Sequence, residues 1–178
     1  MIWEPIRKKA SGNRVTPNLV DYDTARRRFS WDAVRASLSG LPNGRGLNIA
    51  YEAVDRHARS PAGRRVALRC RSRRGEVAEI SYADLCLASN RFGNVLRSLG
   101  VGRGDRVFTL LGRTPELYVA ALGTWKNTSV LCPLFSAFGP EPIVERLRLG
   151  EATVVVTTRA LYRRKIAPFR DRVPTLRH

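Results

Sequence analysis

The chain has 178 residues, of which 43% are hydrophobic and 26% charged, an ordinary globular composition that excludes collagen-like, disordered and disulfide-scaffold proteins. Its longest unbroken apolar run, residues 117–122, is far below the roughly 20 residues of a membrane-spanning helix, and the opening "MIWEPIRKKASGNR" has no apolar stretch able to act as a secretion signal. Charge is the outlier: 32 lysines and arginines against 15 acidic residues leave a net +17, which attracts polyanions without conferring recognition of any one sequence.

Residues 1–21, with Pro5, Gly12 and Pro17, read as a poorly ordered lead-in. Two short helices follow, one over 21–29 with Asp21 as cap and one over 30–38 with Ser30 as cap. The stretch "SGLPNGRG", residues 39–46, is rich in turn formers and separates an N-terminal extension, 1–46, from the main body, 47–178. A helix is expected over 48–57. The β-rich "VALRC" and "VAEISY", joined through Arg73-Arg74-Gly75-Glu76, then predict a hairpin. Ser81 caps the most regular helix of the chain, in which Tyr82, Leu85, Ala88, Phe92, Val95, Leu96 and Leu99 recur at helical spacing up to Gly100. From there strands over 106–111, 130–134 and 153–157 alternate with helices over 115–125, 140–149 and 159–170, and a further strand should begin within 173–178. This alternation predicts an α/β fold of right-handed βαβ units on a parallel sheet, preceded by the β-hairpin.

The motifs that could carry chemistry are few. The glycines of "GVGRGD" follow a helix and precede a strand, the reverse of a dinucleotide loop, so they read as a helix end and a tight turn. No G-x-x-x-x-G-K-[ST] loop or G-x-S-x-G elbow occurs. His57 is the one histidine away from the chain end and reads as part of a helix surface, and Glu141 and Glu145 read as a solvated helix face. Cys70, Cys86 and Cys132 have neither disulfide-framework nor zinc spacing, which fits a reducing cytoplasm. Two basic clusters, Arg26-Arg27-Arg28 and Arg163-Arg164-Lys165, suit phosphate oxygens. Only four of the 32 basic residues are lysine, a skew that a GC-rich coding sequence produces without selection for binding.

The strings "NIAYEAVDRHA" (48–58), "SYADLCLASNRFGNVLRSLGVGRGDRVFTLLGRTPELYVAALGTWK" (81–126) and above all "PLFSAFGPEPI" (133–143) closely resemble the N-terminal part of AMP-forming acetyl-coenzyme A synthetases, members of the adenylate-forming superfamily. The resemblance implies an incomplete N-terminal domain of the adenylate-forming fold, with 47–178 as the first part of the AMP-binding domain. Full-length members use ATP, Mg²⁺ and coenzyme A to turn acetate into acetyl-coenzyme A, AMP and pyrophosphate. Their phosphate loop, adenine and ribose contacts and catalytic lysine lie downstream of this region, so the resemblance assigns no catalytic residue and no metal ligand here. It implies coenzyme A phosphate contacts at about the position of Arg163, Arg164 and Lys165. Where the family has Lys-Ala-Gly after the second long helix, this chain has Lys126-Asn127-Thr128, which puts a β-branched residue or Asn127 in a left-handed position.

Three readings follow. The chain is a synthetase fragment inactive alone, or an accessory protein that binds a complementary fragment or a full-length synthetase, or a basic nucleic-acid-associated protein. The first is preferred, with neither membrane nor sequence-specific nucleic acid as partner.

Overall fold

The computed structural model describes residues 16–178, so most of the predicted lead-in lies outside the described residues. The chain divides at Leu38/Ser39, slightly before the boundary read from the sequence. The turn-rich stretch joins the second unit because the Glu52 carboxylate accepts the amides of Ser39 (3.1 Å) and Gly40 (2.7 Å). The first unit holds α1 (Tyr22–Arg28) and α2 (Trp31–Ser37), capped by Asp21 and Ser30 as their spacing predicts. Neither helix buries a residue, and Phe29 and Trp31 meet edge to face at 5.0 Å.

The second unit opens with Asn48, whose Oδ1 accepts the amides of Ala50 and Tyr51 and whose Nδ2 donates to the Trp125 carbonyl at 2.8 Å. The expected helix is there but not regular: a π-helical turn, Tyr51–Asp55, precedes the short α3, Arg56–Ala58, and the Arg56 amide reaches back five residues to the Tyr51 carbonyl. A hairpin of β1 (Val66–Arg71) and β2 (Val77–Ser81) follows, closed at Gly75 with φ 87°. Ser81 then caps α4 (Tyr82–Ser98) by accepting the Asp84 amide at 3.1 Å.

The main sheet has three parallel strands in the order β4-β3-β5: β3 (Arg106–Leu111) in the centre, β4 (Val130–Phe135) and β5 (Val154–Thr157) beside it. Helix α5 (Pro115–Lys126) links β3 to β4 and packs beside α4, while α6 (Pro140–Leu149) crosses from β4 to β5. Side chains of β3 alternate between two layers, as a buried parallel strand requires. Phe108 and Leu110 meet Ile143, Val144 and Leu147 of α6, and Val107 meets Leu96 and Val101 at the end of α4. Each of these fully buried side chains contributes about 1.5–3 kcal/mol.

Two glycines are fixed by close approach. A Cβ on Gly123 would stand 2.8 Å from the Ser89 carbonyl oxygen, so α5 lies directly on α4, and a Cβ on Gly150 would stand 2.5 Å from Phe108 Cζ.

The helix expected over 159–170 is shorter. Helix α7 spans Arg159–Lys165, and a 3₁₀ turn, Ala167–Arg172, replaces its second half. Pro168 is the reason: it has no amide to donate and disfavours α geometry in Ala167. The strand expected within 173–178 appears only as its first rung, after a turn at Pro174-Thr175. The Thr153 carbonyl accepts the amides of Arg177 and His178, and the Val155 amide donates to the His178 carbonyl at 2.9 Å.

Helices α4, α5 and α6 end alike. The amide two residues past the cap returns to the third-last carbonyl, in Val101 to Leu96, Ser129 to Thr124 and Ala152 to Leu147. The residue between is left-handed: Gly100 (φ 71°), Thr128 (φ 59°) and Glu151 (φ 45°). Thr128, not Asn127, therefore carries the strain that the sequence raised, because Asn127 stays in the right-handed half as the cap, φ −79°. A left-handed non-glycine residue costs about 1–2 kcal/mol, and glycine's extra unfolded freedom returns about 0.5–1. Thr128→Gly is expected to stabilise the chain by about 0.5–1 kcal/mol, read as a higher urea midpoint with an unchanged slope.

Candidate functional site

In parallel α/β sheets ligands bind outside the carboxyl ends of the strands, where successive connections leave for opposite faces. Here β3 leads to α5 on one face and β4 to α6 on the other. The loops at that end are Gly112–Thr114, Ser136–Gly139 and Thr158, each leading into a helix. Thr157 Oγ1 donates to the Leu110 carbonyl at 2.8 Å and ties the end of β5 to β3. In the first loop the Thr114 hydroxyl bonds Glu116 and holds its carboxyl below the usual range.

The second loop, the most family-like string of the sequence, is held from α7. Lys165 is buried, and its Nζ donates to the carbonyls of Ser136 (2.7 Å) and Phe138 (2.5 Å). Phe138 is fixed on its other sides by Phe135, edge to face at 5.5 Å, and by the Arg146 guanidinium 4.5 Å above its ring.

This geometry separates the three basic residues read as coenzyme A contacts. Arg163 and Arg164 stand exposed on α7, whereas the Lys165 ammonium is turned inward onto loop carbonyls and does not face a ligand. Arg26, Arg27 and Arg28 are also exposed, on α1 in the other unit. Glu141 takes both guanidinium nitrogens of Arg172, and Glu145 pairs with Arg148, so these carboxylates form a solvated face as expected. His57 lies against the Tyr82 ring at 5.1 Å. Among the described residues no cluster of His, Cys, Asp and Glu could hold a metal ion.

Sequence reasoning missed a buried charged cluster behind the sheet. Lys126 Nζ stands 2.5 Å from Asp55 Oδ1, and only 9% and 14% of the two side chains is exposed. The ammonium also donates to the Cys86 carbonyl (3.3 Å) and Asn90 Oδ1 (2.8 Å), and the Cys86 thiol donates to Asp55 Oδ1 at 3.2 Å. Burial first, and the bond to Asp55 next, push the Cys86 thiol up, so it is a neutral packing group and not a nucleophile. No local signal marks this cluster, because the π-turn, α4 and α5 each supply part of it. Removing the ammonium strands the carboxylate: Lys126→Met is expected to cost about 3–5 kcal/mol, and Asp55→Leu with Lys126→Met to recover most of it, measured by urea unfolding.

The "AMP-binding enzyme" family model matches residues 54–177. The acetyl-coenzyme A synthetase of Bacillus subtilis is 41% identical over 162 residues, 90% of this chain and 27% of that protein. The 3-hydroxypropionyl-coenzyme A synthetase of Metallosphaera sedula is 38% identical over 118 residues, 66% of this chain and 18% of that protein. A crystal structure of an acyl-CoA synthetase from Brucella canis superposes with a TM-score of 0.71 at 36% identity, over 87% of this chain and 27% of that one. The chain thus spans about a quarter or less of the length of these relatives. With the parallel sheet, the Ser136–Gly139 loop and the matched residues in agreement, the chain belongs to the AMP-binding enzyme family.

Proposed function

We propose that this chain is the N-terminal portion of the adenylation domain of an acetyl-coenzyme A synthetase-type ligase, working in the cytoplasm on a short carboxylic acid. The observation that carries this reading is the 41% identity to a bacterial acetyl-coenzyme A synthetase across 90% of the chain. The reaction activates acetate with ATP as an acyl-adenylate and passes the acyl group to the coenzyme A thiol. In this reading the chain supplies scaffold and one face of the coenzyme A site, and a complementary synthetase segment supplies the groups that handle ATP.

The chemistry of the exposed residues fits that division. Coenzyme A is anionic through its phosphates, and Arg163 and Arg164 are exposed guanidiniums suited to two-point contact with phosphate oxygens. Lys165 acts through the backbone: it holds the Ser136–Gly139 loop next to those arginines. Adenylation needs pre-organised donors and a metal ion around the transferring phosphate, and the described residues hold no cluster of His, Cys, Asp and Glu suited to a metal ion.

Two outcomes are expected. The isolated chain will show no acetate-dependent exchange of labelled pyrophosphate into ATP above a boiled control; exchange above that level would refute the inactive-portion reading. Arg163→Ala with Arg164→Ala will weaken coenzyme A binding about tenfold or more in calorimetric titration while leaving the melting midpoint unchanged, since both side chains are exposed. Equal affinity in the variant would remove these arginines from the site.

A further inference from the structure

At the amino end of the sheet, opposite the loops just described, the segment after Leu41 crosses the ends of α4 and α5 and leaves a groove of about 460 Å³. Its lining includes Arg45, Arg97, Tyr51, Lys126 and Thr128. A second cavity of about 440 Å³ shares Arg45 and Thr128 and adds Arg103. Volumes of this size are those of small-molecule sites.

The charge inside is one-sided. Lys126 is neutralised by Asp55, the one carboxylate in the lining. Among the described residues the three arginines have no carboxylate partner: Arg45 bonds the Pro42 carbonyl, Arg97 bonds Asn94 Oδ1, and no polar contact engages Arg103. All three are exposed. Two helix C-termini end here, each carrying about half a negative charge. They are already answered, since the returning amides of Val101 and Ser129 take up helix-end carbonyls and Asn48 Nδ2 takes that of Trp125. Three full positive charges outweigh what remains.

We propose that this groove is a binding site for a small anion bearing a diphosphate group. Arg97 lines the first cavity, Arg103 the second and Arg45 both, so the guanidiniums are spread over two adjoining spaces each larger than one phosphate fills, which favours two linked phosphates over one. Thr128, which lines both cavities, carries a hydroxyl that can add a further polar contact. Its left-handed backbone, strained where glycine would be relaxed, is the kind of local cost found at ligand sites. The site lies at the opposite end of the strands from Arg163 and Arg164, and it does not depend on the coenzyme A reading.

The test is calorimetric titration of the full chain at physiological salt, with inorganic pyrophosphate in one arm and ADP in the other, so that a free diphosphate and a nucleoside diphosphate are distinguished. Saturable binding of either is expected; equal affinities mean that the diphosphate alone is read, and tighter ADP means that the nucleoside adds contacts. Arg97→Gln with Arg103→Gln is expected to weaken binding at least about tenfold. Arg73→Gln with Arg74→Gln, at the exposed hairpin turn, removes the same net charge and should change it less than twofold. All four side chains are exposed, so unchanged melting midpoints will exclude misfolding. No saturable binding in the parent chain, or an equal loss in the control variant, overturns the proposal.

Discussion

The buried Lys126 ammonium is the contact on which the upper half of the molecule depends. It reaches Asp55 from the π-turn and Cys86 and Asn90 from α4 while itself ending α5, so one charge joins three segments that share no continuous backbone hydrogen bonding. Burying an ion pair is costly unless the remaining donors and acceptors are also met. Here they are: the ammonium has two further oxygen acceptors, and Asp55 also receives the Cys86 thiol. The apolar contacts of Ala50, Val54, Leu85 and Leu122 surround the same junction, so packing and charge specify one arrangement together.

That junction also gives the "DRH" stretch of the sequence a physical account. Asp55 faces Lys126, Arg56 pairs with Glu52 at 2.9 Å, and His57 rests on Tyr82. Three successive polar residues thus each have a structural partner. Glu52 in turn holds the amides of Ser39 and Gly40, which carries the same network into the segment crossing the ends of α4 and α5.

What the sequence made legible was local. Caps at Asp21, Ser30 and Ser81, proline at the first position of α5 and the alternation of short strands with helices all act within a few residues, and the corresponding elements are found. The α/β class and the family followed from these and from the 133–143 string. The π-turn was not legible, because what accompanies it is the pairing of Asp55 and Arg56 with other side chains. The early end of α7 is legible in Pro168, which a single helix over 159–170 leaves out of account. For the candidate site, the pattern Arg163-Arg164-Lys165 marked a basic stretch that ends α7. It could not show that helical rotation turns Lys165 inward while its two neighbours remain in solvent.

The large arginine excess resolves into different physical roles once the side chains are placed. Arg106 ties β3 to Glu151 and to the Gly150 carbonyl, Arg172 ties the last 3₁₀ turn to Glu141 on α6, and Arg170 bonds the Val173 carbonyl. Such residues fasten one element to another and leave little charge for a partner. Arg163 and Arg164 at one end of the strands, and Arg45, Arg97 and Arg103 at the other, lack acidic partners among the described residues. A coding bias that supplies arginine everywhere does not by itself explain why Arg106 and Arg172 meet acidic residues and the second group does not. The net charge is therefore a poor guide to what this chain binds. The informative quantity is which guanidiniums the fold leaves without an acidic partner beside a loop or cavity, and five of these stand at the two ends of the parallel sheet.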